Sequence, residues 1–365
     1  MCSLKSGILL RDRAYVPDHD SHDQMLKELG IQDDYLGASE KFVRFELSPR
    51  DDNLLTDVST WTMKVDQDII PAWFDADREK YDGIIVDAVR GWAEKHILRE
   101  GKHEKKEGIY YLFNDAEITL MDNAQATLWD NAQAELWDNA QATLRGNARA
   151  TLRGNARATL LGNAQATLRG NALATLWDNA QATLWGNAQA TLMDNAQATL
   201  WDNAQATLRG NARATLFGNA QAELWDNAQA TLRGNARATL RGNAQATLMG
   251  NAQATLKGNA LATLWGNAQA TLRGNALATL WDNAQATLWD NAQAELWDNA
   301  QATLRGNAQA TLRDNAQATL WDNAQAMLMG NAIIVNCKIF ENAIVVSHKD
   351  SKVYVSKKWD MEVIS

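Results

Sequence analysis

From Asn123 to Gly330 the chain repeats one eight-residue phrase, Asn-Ala-Gln-Ala-Thr-Leu-Trp-Asp and close variants, 26 times without insertion or deletion. A short fixed period over more than half of a chain dictates a stacked repeat architecture, because no single unit can bury its own apolar side chains. Counting from Asn123, octad positions 1, 2, 4 and 6 are Asn, Ala, Ala and Leu in every copy. Position 3 is mostly Gln, position 5 mostly Thr, position 7 varies among Trp, Arg, Met, Leu, Phe and Lys, and position 8 is Asp or Gly. Fixed apolar positions alternating with tolerant ones have the period of a strand with one buried face. Ala, Gln and Leu favour helices, but an eight-residue period drifts around a helix of 3.6 residues per turn and leaves no constant face. Asp-Asn or Gly-Asn at each boundary supplies residues that tolerate the backbone of a corner.

The reading is a mainly β chain: a parallel β-solenoid with two octads, 16 residues, per coil, about 13–14 coils and roughly 60 Å in length. A triangular coil of three octads is the geometric alternative. Position-1 Asn is expected to stack into an amide ladder. Residues 107–348 form the solenoid with degenerate end coils, residues 1–106 a small N-terminal α+β domain that caps it, and residues 349–365 a C-terminal cap containing Val353, Tyr354, Val355 and Trp359. In the N-terminal domain Gly7–Leu10, Lys41–Leu47 and Trp61–Asp66 read as strands, Ser21–Leu29 and Ala76–Leu98 as helices, and Arg99–Lys106 as a polar linker.

With a 16-residue coil, odd and even octads occupy opposite faces and position 7 splits into two columns. The odd column never places two Trp next to each other, and six of its steps put Trp beside Arg, a spacing that permits cation–π stacking. The even column carries Trp185, Trp201 and Phe217 in succession, then Trp265, Trp281 and Trp297, contiguous aromatic strips of the kind that bind a partner, a second copy or a planar ligand. A plainer account also holds: nine of eleven Trp octads end in Asp and eight of nine Arg octads in Gly, as duplication of two cassettes would leave them. Arg145, Arg149, Arg153, Arg157 and Arg169 form a local basic patch.

The formal charge of −9 is uneven: residues 115–330 carry 17 acidic and 14 basic side chains, residues 1–114 carry 23 and 16. So balanced a rod neither mimics a polyanion nor attracts one, which argues against a nucleic-acid partner. Cys2 and Cys337 make no disulfide framework. The chain opens with no signal-like segment and holds no run of 18 apolar residues, so a cytoplasmic protein without membrane contact is expected. One cluster has the composition of a metal site: Asp18, His19, Asp20 and His22, within Asp-His-Asp-Ser-His-Asp. The competing account makes Ser21 and Gln24 a capping box opening a helix. No cofactor motif is present.

The run SGILLRDRAYVPDHDSHDQMLKELGI, then FVRFELSP, WTMKVDQDIIPAWF and the octads, resembles a group of uncharacterised bacterial and phage-associated proteins with a short N-terminal domain feeding an octapeptide solenoid. That resemblance implies a host-interaction role and no activity. The period is also similar to that of bacterial ice-nucleation proteins, whose coils pair two octads and carry Thr-x-Thr rows; here each octad has one Thr, between Gln and a bulky residue. The expected function is a non-enzymatic binding or scaffolding rod whose partner is a protein, another copy or a host component. The alternatives are a metal-dependent enzyme in the N-terminal domain with the solenoid as spacer, and a water-ordering surface.

Overall fold

The computed structural model describes residues 4–32, 40–337, 343–348, 352–357 and 360–364; Cys2 and Trp359 lie outside them. The array is a parallel β-solenoid of two sheets. Every octad contributes one four-residue strand at positions 3–6, and strands pair in parallel with those 16 residues away, as in Gln141–Leu144 against Arg157–Leu160. The 16-residue register therefore rules out the triangular coil. Odd octads build one sheet, of 16 strands with its end strands, and even octads build the other. The even path runs from Lys102–Lys105 to Asp360–Ile364, so its two ends lie at opposite ends of a rod of about 15 coils, roughly 70 Å long.

Positions 2, 4 and 6 point inward. In the array Ala at position 2 is fully buried, Ala at position 4 nearly so, and Leu at position 6 fully buried in every coil up to Leu320. Small Ala lets the sheets approach, and the Leu columns fill the space between them. Backbone pairing continues around the corners: Trp137 N donates to Leu120 O at 2.9 Å, Asn139 N to Asp122 O at 3.1 Å, and Gln141 N to Ala124 O at 3.0 Å.

Position 8 takes positive φ throughout the array, 55–60° for Asp and 66–76° for Gly. Gly enters that region freely, whereas Asp needs compensation. Its carboxylate provides it, accepting the backbone N–H of the position-8 residue one coil earlier, as in Gly162 N to Asp178 Oδ2 at 2.9 Å. All six steps of the array that run from Gly to Asp make this bond, at 2.9–3.2 Å. The expected Asn ladder is sparse by comparison: Asn275–Asn259, Asn307–Asn291 and Asn323–Asn307 approach at 3.3–3.5 Å. The main corner ladder belongs to the aspartates.

In the N-terminal domain β1 (Lys5–Leu9) pairs antiparallel with both β2 (Ala14–Tyr15) and β3 (Val43–Ser48), and β3 with β4 (Thr62–Val65). Helices α1 (His22–Glu28), α2 (Ala72–Ala76) and α3 (Arg78–His96) complete it. The long helix ends at His96, and the next residues already belong to the rod: β5 (Ile97–Leu98) pairs with Tyr111–Leu112 and β6 (Lys102–Lys105) with Glu117–Leu120. Strand pairing thus starts at the end of the segment that reads as a helix, which stops at His96, and continues through the one that reads as a polar linker. The Lys-His-Glu-Lys sequence of β6 suits an edge strand, where charge discourages further pairing.

At the other end the solenoid stops by changing strand direction. Ile333–Cys337 still pairs in parallel, but a bulge between Ala318 and Thr319 shifts its register. Ile344–Ser347 is the last parallel strand of the even sheet, and Lys352–Lys357 and Asp360–Ile364 follow as an antiparallel hairpin. An antiparallel strand cannot propagate the coil, so the stack ends there.

Candidate functional site

Each member of the acidic–histidine cluster has its own partner. Asp18 Oδ1 meets His96 Nε2 at 3.0 Å, His19 Nε2 meets Glu28 at 3.0 Å, and Asp20 Oδ1 accepts from Lys5 Nζ at 2.7 Å. His22 contacts Phe45 O at 3.2 Å and Asp66 at 3.5 Å. Among the described residues no group of three or more His, Cys, Asp or Glu is placed to hold a metal. The side chains of Asp18, His19, Asp20 and His22 diverge because three of the four contacts tie this segment to a different element: β1, β3 and α3. The helix-start account fits half of its motif: Ser21 Oγ accepts from Gln24 N at 3.3 Å, while the Gln24 side chain turns to Glu28 at 3.0 Å.

Glu28 collects His19, Gln24 and Tyr15, and these bonds, His19 first, hold its carboxyl below the ordinary carboxylate value. A depressed carboxyl contributes stability above its unfolded pKa and loses it as pH falls through the folded value. Glu28→Gln is therefore expected to destabilise the N-terminal domain at pH 7, with the gap from wild type closing as denaturation is repeated toward pH 3. A constant gap across that range would disprove the linkage.

An aromatic joint fixes this domain to the first coils. His96 lies between Trp92 (4.9 Å, 13° between planes) and Tyr110 (5.1 Å, 12°), and its Nδ1 meets Ile109 O at 2.7 Å. Both of its ring nitrogens face acceptor oxygens. Burial raises the pKa of Tyr110, as it does for Tyr111. Trp129, the first tryptophan of the odd column, stacks on Phe113 at 4.6 Å and 5°. It belongs to the domain junction rather than to the outer surface.

Position 7 falls just after each strand, so the two columns line opposite edges of the flattened rod, not its faces. On the even edge Trp185, Trp201 and Phe217 stack face to face, with centroids 5.1 and 4.1 Å apart. Trp265, Trp281 and Trp297 do the same at 5.2 and 4.8 Å. An arginine closes the end of each stack: Arg233 lies 5.8 Å from the Phe217 centroid and Arg313 4.4 Å from that of Trp297. Within each stack the ring faces lie against their neighbours. The outer ring edges remain available, with Trp185 37% and Trp265 39% exposed.

The odd edge shows five of the six expected Trp–Arg steps, involving Trp225, Trp289 and Trp321 at 4.5–5.9 Å; the sixth, Trp129 to Arg145, gives way to the Phe113 stack. The basic patch divides. Arg149 belongs to the even sheet and Arg157 to the odd sheet, while Arg153 stacks on Trp137 at 4.4 Å. The five arginines thus form no single anion-binding surface.

One arrangement escapes a reading made column by column. The glutamates at position 5, Glu135, Glu223 and Glu295, each share an octad with a Trp and precede an Arg in the next coil. Those arginines, Arg153, Arg241 and Arg313, make the three closest ring contacts of the array, 4.4–4.5 Å, and Arg313 Nε also donates to Glu295 at 3.0 Å. The signal was legible as Glu-x-Trp followed by Arg sixteen residues after the Trp. Between the edges, each flat face carries a shallow groove along the rod, floored by position-4 Ala and walled by Gln and Thr. Among the described residues no helix is long and apolar enough to cross a membrane. Searches of family models, curated proteins and solved structures find no match to this chain.

Proposed function

We propose that the chain is a non-enzymatic binding or scaffolding rod, in which the N-terminal domain is anchored on the first coils and the even edge contacts a protein partner. The observation that supports it is the pair of aromatic stacks on one edge. Stacking gives each ring a fixed orientation at little side-chain entropy cost, the property that makes aromatic side chains good contact residues. The metal-enzyme reading is weakened by the divergence of Asp18, His19, Asp20 and His22. The host-interaction role implied by the resemblance concerns the same surface and names no partner.

The test is capture of partners by the full chain and by a Trp265→Thr/Trp281→Thr/Trp297→Thr variant. Retention of a specific protein that falls at least tenfold in the variant is expected. Equal retention by both chains would refute the role of the strip. A second reading, water ordering, draws on the Gln and Thr columns of the flat faces. It predicts ice nucleation above the buffer control, with loss when Thr residues of one face are replaced by Lys; freezing that matches buffer ends it.

A further inference from the structure

We infer that the even edge is self-complementary and pairs two copies of this chain side by side and antiparallel; this rests on the proposal that the edge is a contact surface. The two aromatic triplets are separated along the column by Arg233 and Met249. Read in either direction, the edge from 185 to 297 is three aromatic residues, two non-aromatic ones, three aromatic residues. A closed pair with a two-fold axis needs such a palindrome, because each copy must present the same patch reversed. With the axis between the coils of Arg233 and Met249, Phe217 faces the partner's Trp265 and Trp185 faces the partner's Trp297. Arg233 then meets the thioether of Met249 instead of its own copy. A parallel pair would oppose Arg153, Arg169, Arg233 and Arg313 each to itself. In the antiparallel pair Arg153 falls opposite Met329, and only Arg169 and Arg313 meet, with Arg313 bonded to Glu295 at 3.0 Å.

The array as a whole carries little net charge, and Arg169 against Arg313 is the one like-charge encounter of the position-7 column. The eight coils span roughly 35–40 Å of a narrow edge. The area buried is about 1,000 Å², at the lower limit for a specific interface, so the expected dimer is weak, with Kd in the tens of micromolar.

Three full-length proteins test the pairing by sedimentation equilibrium from about 1 to 200 µM. Wild type is expected to dimerise. Deleting residues 235–242, one octad, sends the second triplet to the opposite edge and should raise the Kd at least tenfold. Deleting 227–242, two octads, keeps both triplets on one edge and the palindrome intact with Met249 at its centre, and should still dimerise. Monomeric wild type at all concentrations, or equal dimerisation after the one-octad deletion, overturns the inference. Orientation is read with a single spin label at Arg169→Cys in a Cys2→Ser/Cys337→Ser background. Antiparallel pairing places the labels about nine coils apart, near 43 Å; a distance under about 25 Å means parallel pairing and overturns it. If purified protein stays monomeric while Trp-dependent capture of another protein persists, self-pairing fails and the binding-rod reading survives.

Discussion

Deleting the four residues 237–240 is expected to break the rod into two unfolding units, whereas deleting the eight residues 235–242 is expected to leave one folded rod. The four-residue deletion removes a whole strand and the buried Ala238 and Leu240 but keeps both flanking corners. Gln221–Leu224 and Gln253–Leu256 then lose the strand between them. Unpaired buried backbone groups and an opened core follow, each costing of the order of kilocalories. Denaturant unfolding should change from one transition to two, or show a clearly reduced m-value. From the repeat alone the one-octad deletion is also expected to fail, because it moves everything downstream to the other sheet. The structure reverses that expectation: both sheets present the same Ala, Ala and Leu inward, so the downstream rod can turn by half a coil and continue stacking. What changes is the edge on which each Trp and Arg lies. A single transition near the wild-type midpoint for the 235–242 deletion supports this; aggregation or loss of β signal contradicts it.

Leu232→Ala is expected to cost about 4 kcal/mol, and Thr231→Ala, its neighbour on the same strand, under about 0.5 kcal/mol. Leu232 is fully buried between the sheets, while Thr231 faces outward. Replacing Leu leaves a cavity that rigid Ala-lined sheets cannot close, so the effect should sit toward the upper part of the usual range. Because each coil touches only its neighbours, the loss is local and appears as weakened coupling between the two halves of the rod. Equilibrium denaturation of the three proteins decides it, and equal losses at the two positions would show that the inward–outward assignment is wrong.

The coil was legible before any coordinate because its physics is local. Period-two alternation of Ala, Ala and Leu with tolerant positions admits one buried face, and an Asp or Gly before every Asn marks a corner. Whether two or three octads close a coil was not local information; the pairing of strands 16 residues apart decides for two. The N-terminal segment was harder. Lys102–Lys105 has the polarity of a linker, yet forms a strand because an exposed edge strand needs charge rather than apolar residues. Trp92 sits one helical turn before His96, but nothing local shows that Tyr110, from the first coil, will cover the other face of the imidazole. The acidic–histidine cluster read as a ligand set because sequence proximity says nothing about direction, and its side chains turn to β1, β3, α1 and α3.

The sequence by itself determined the repeat, its inward and outward positions, its corners and its two unlike columns, because each follows from interactions within eight residues or between identical neighbours. The tertiary structure alone decided what the variable residues do. Stacking coils about 4.8 Å apart brings residues sixteen positions distant into ring contact, turning the exposed Trp strips into face-to-face stacks with only their edges outward. The same stacking gave Asp at position 8 a backbone N–H to bind, committed Trp129 to the domain junction, and divided the basic patch between two sheets. Those outcomes depend on which side chain lies in the next coil, a relation that exists only once the chain has closed its turn.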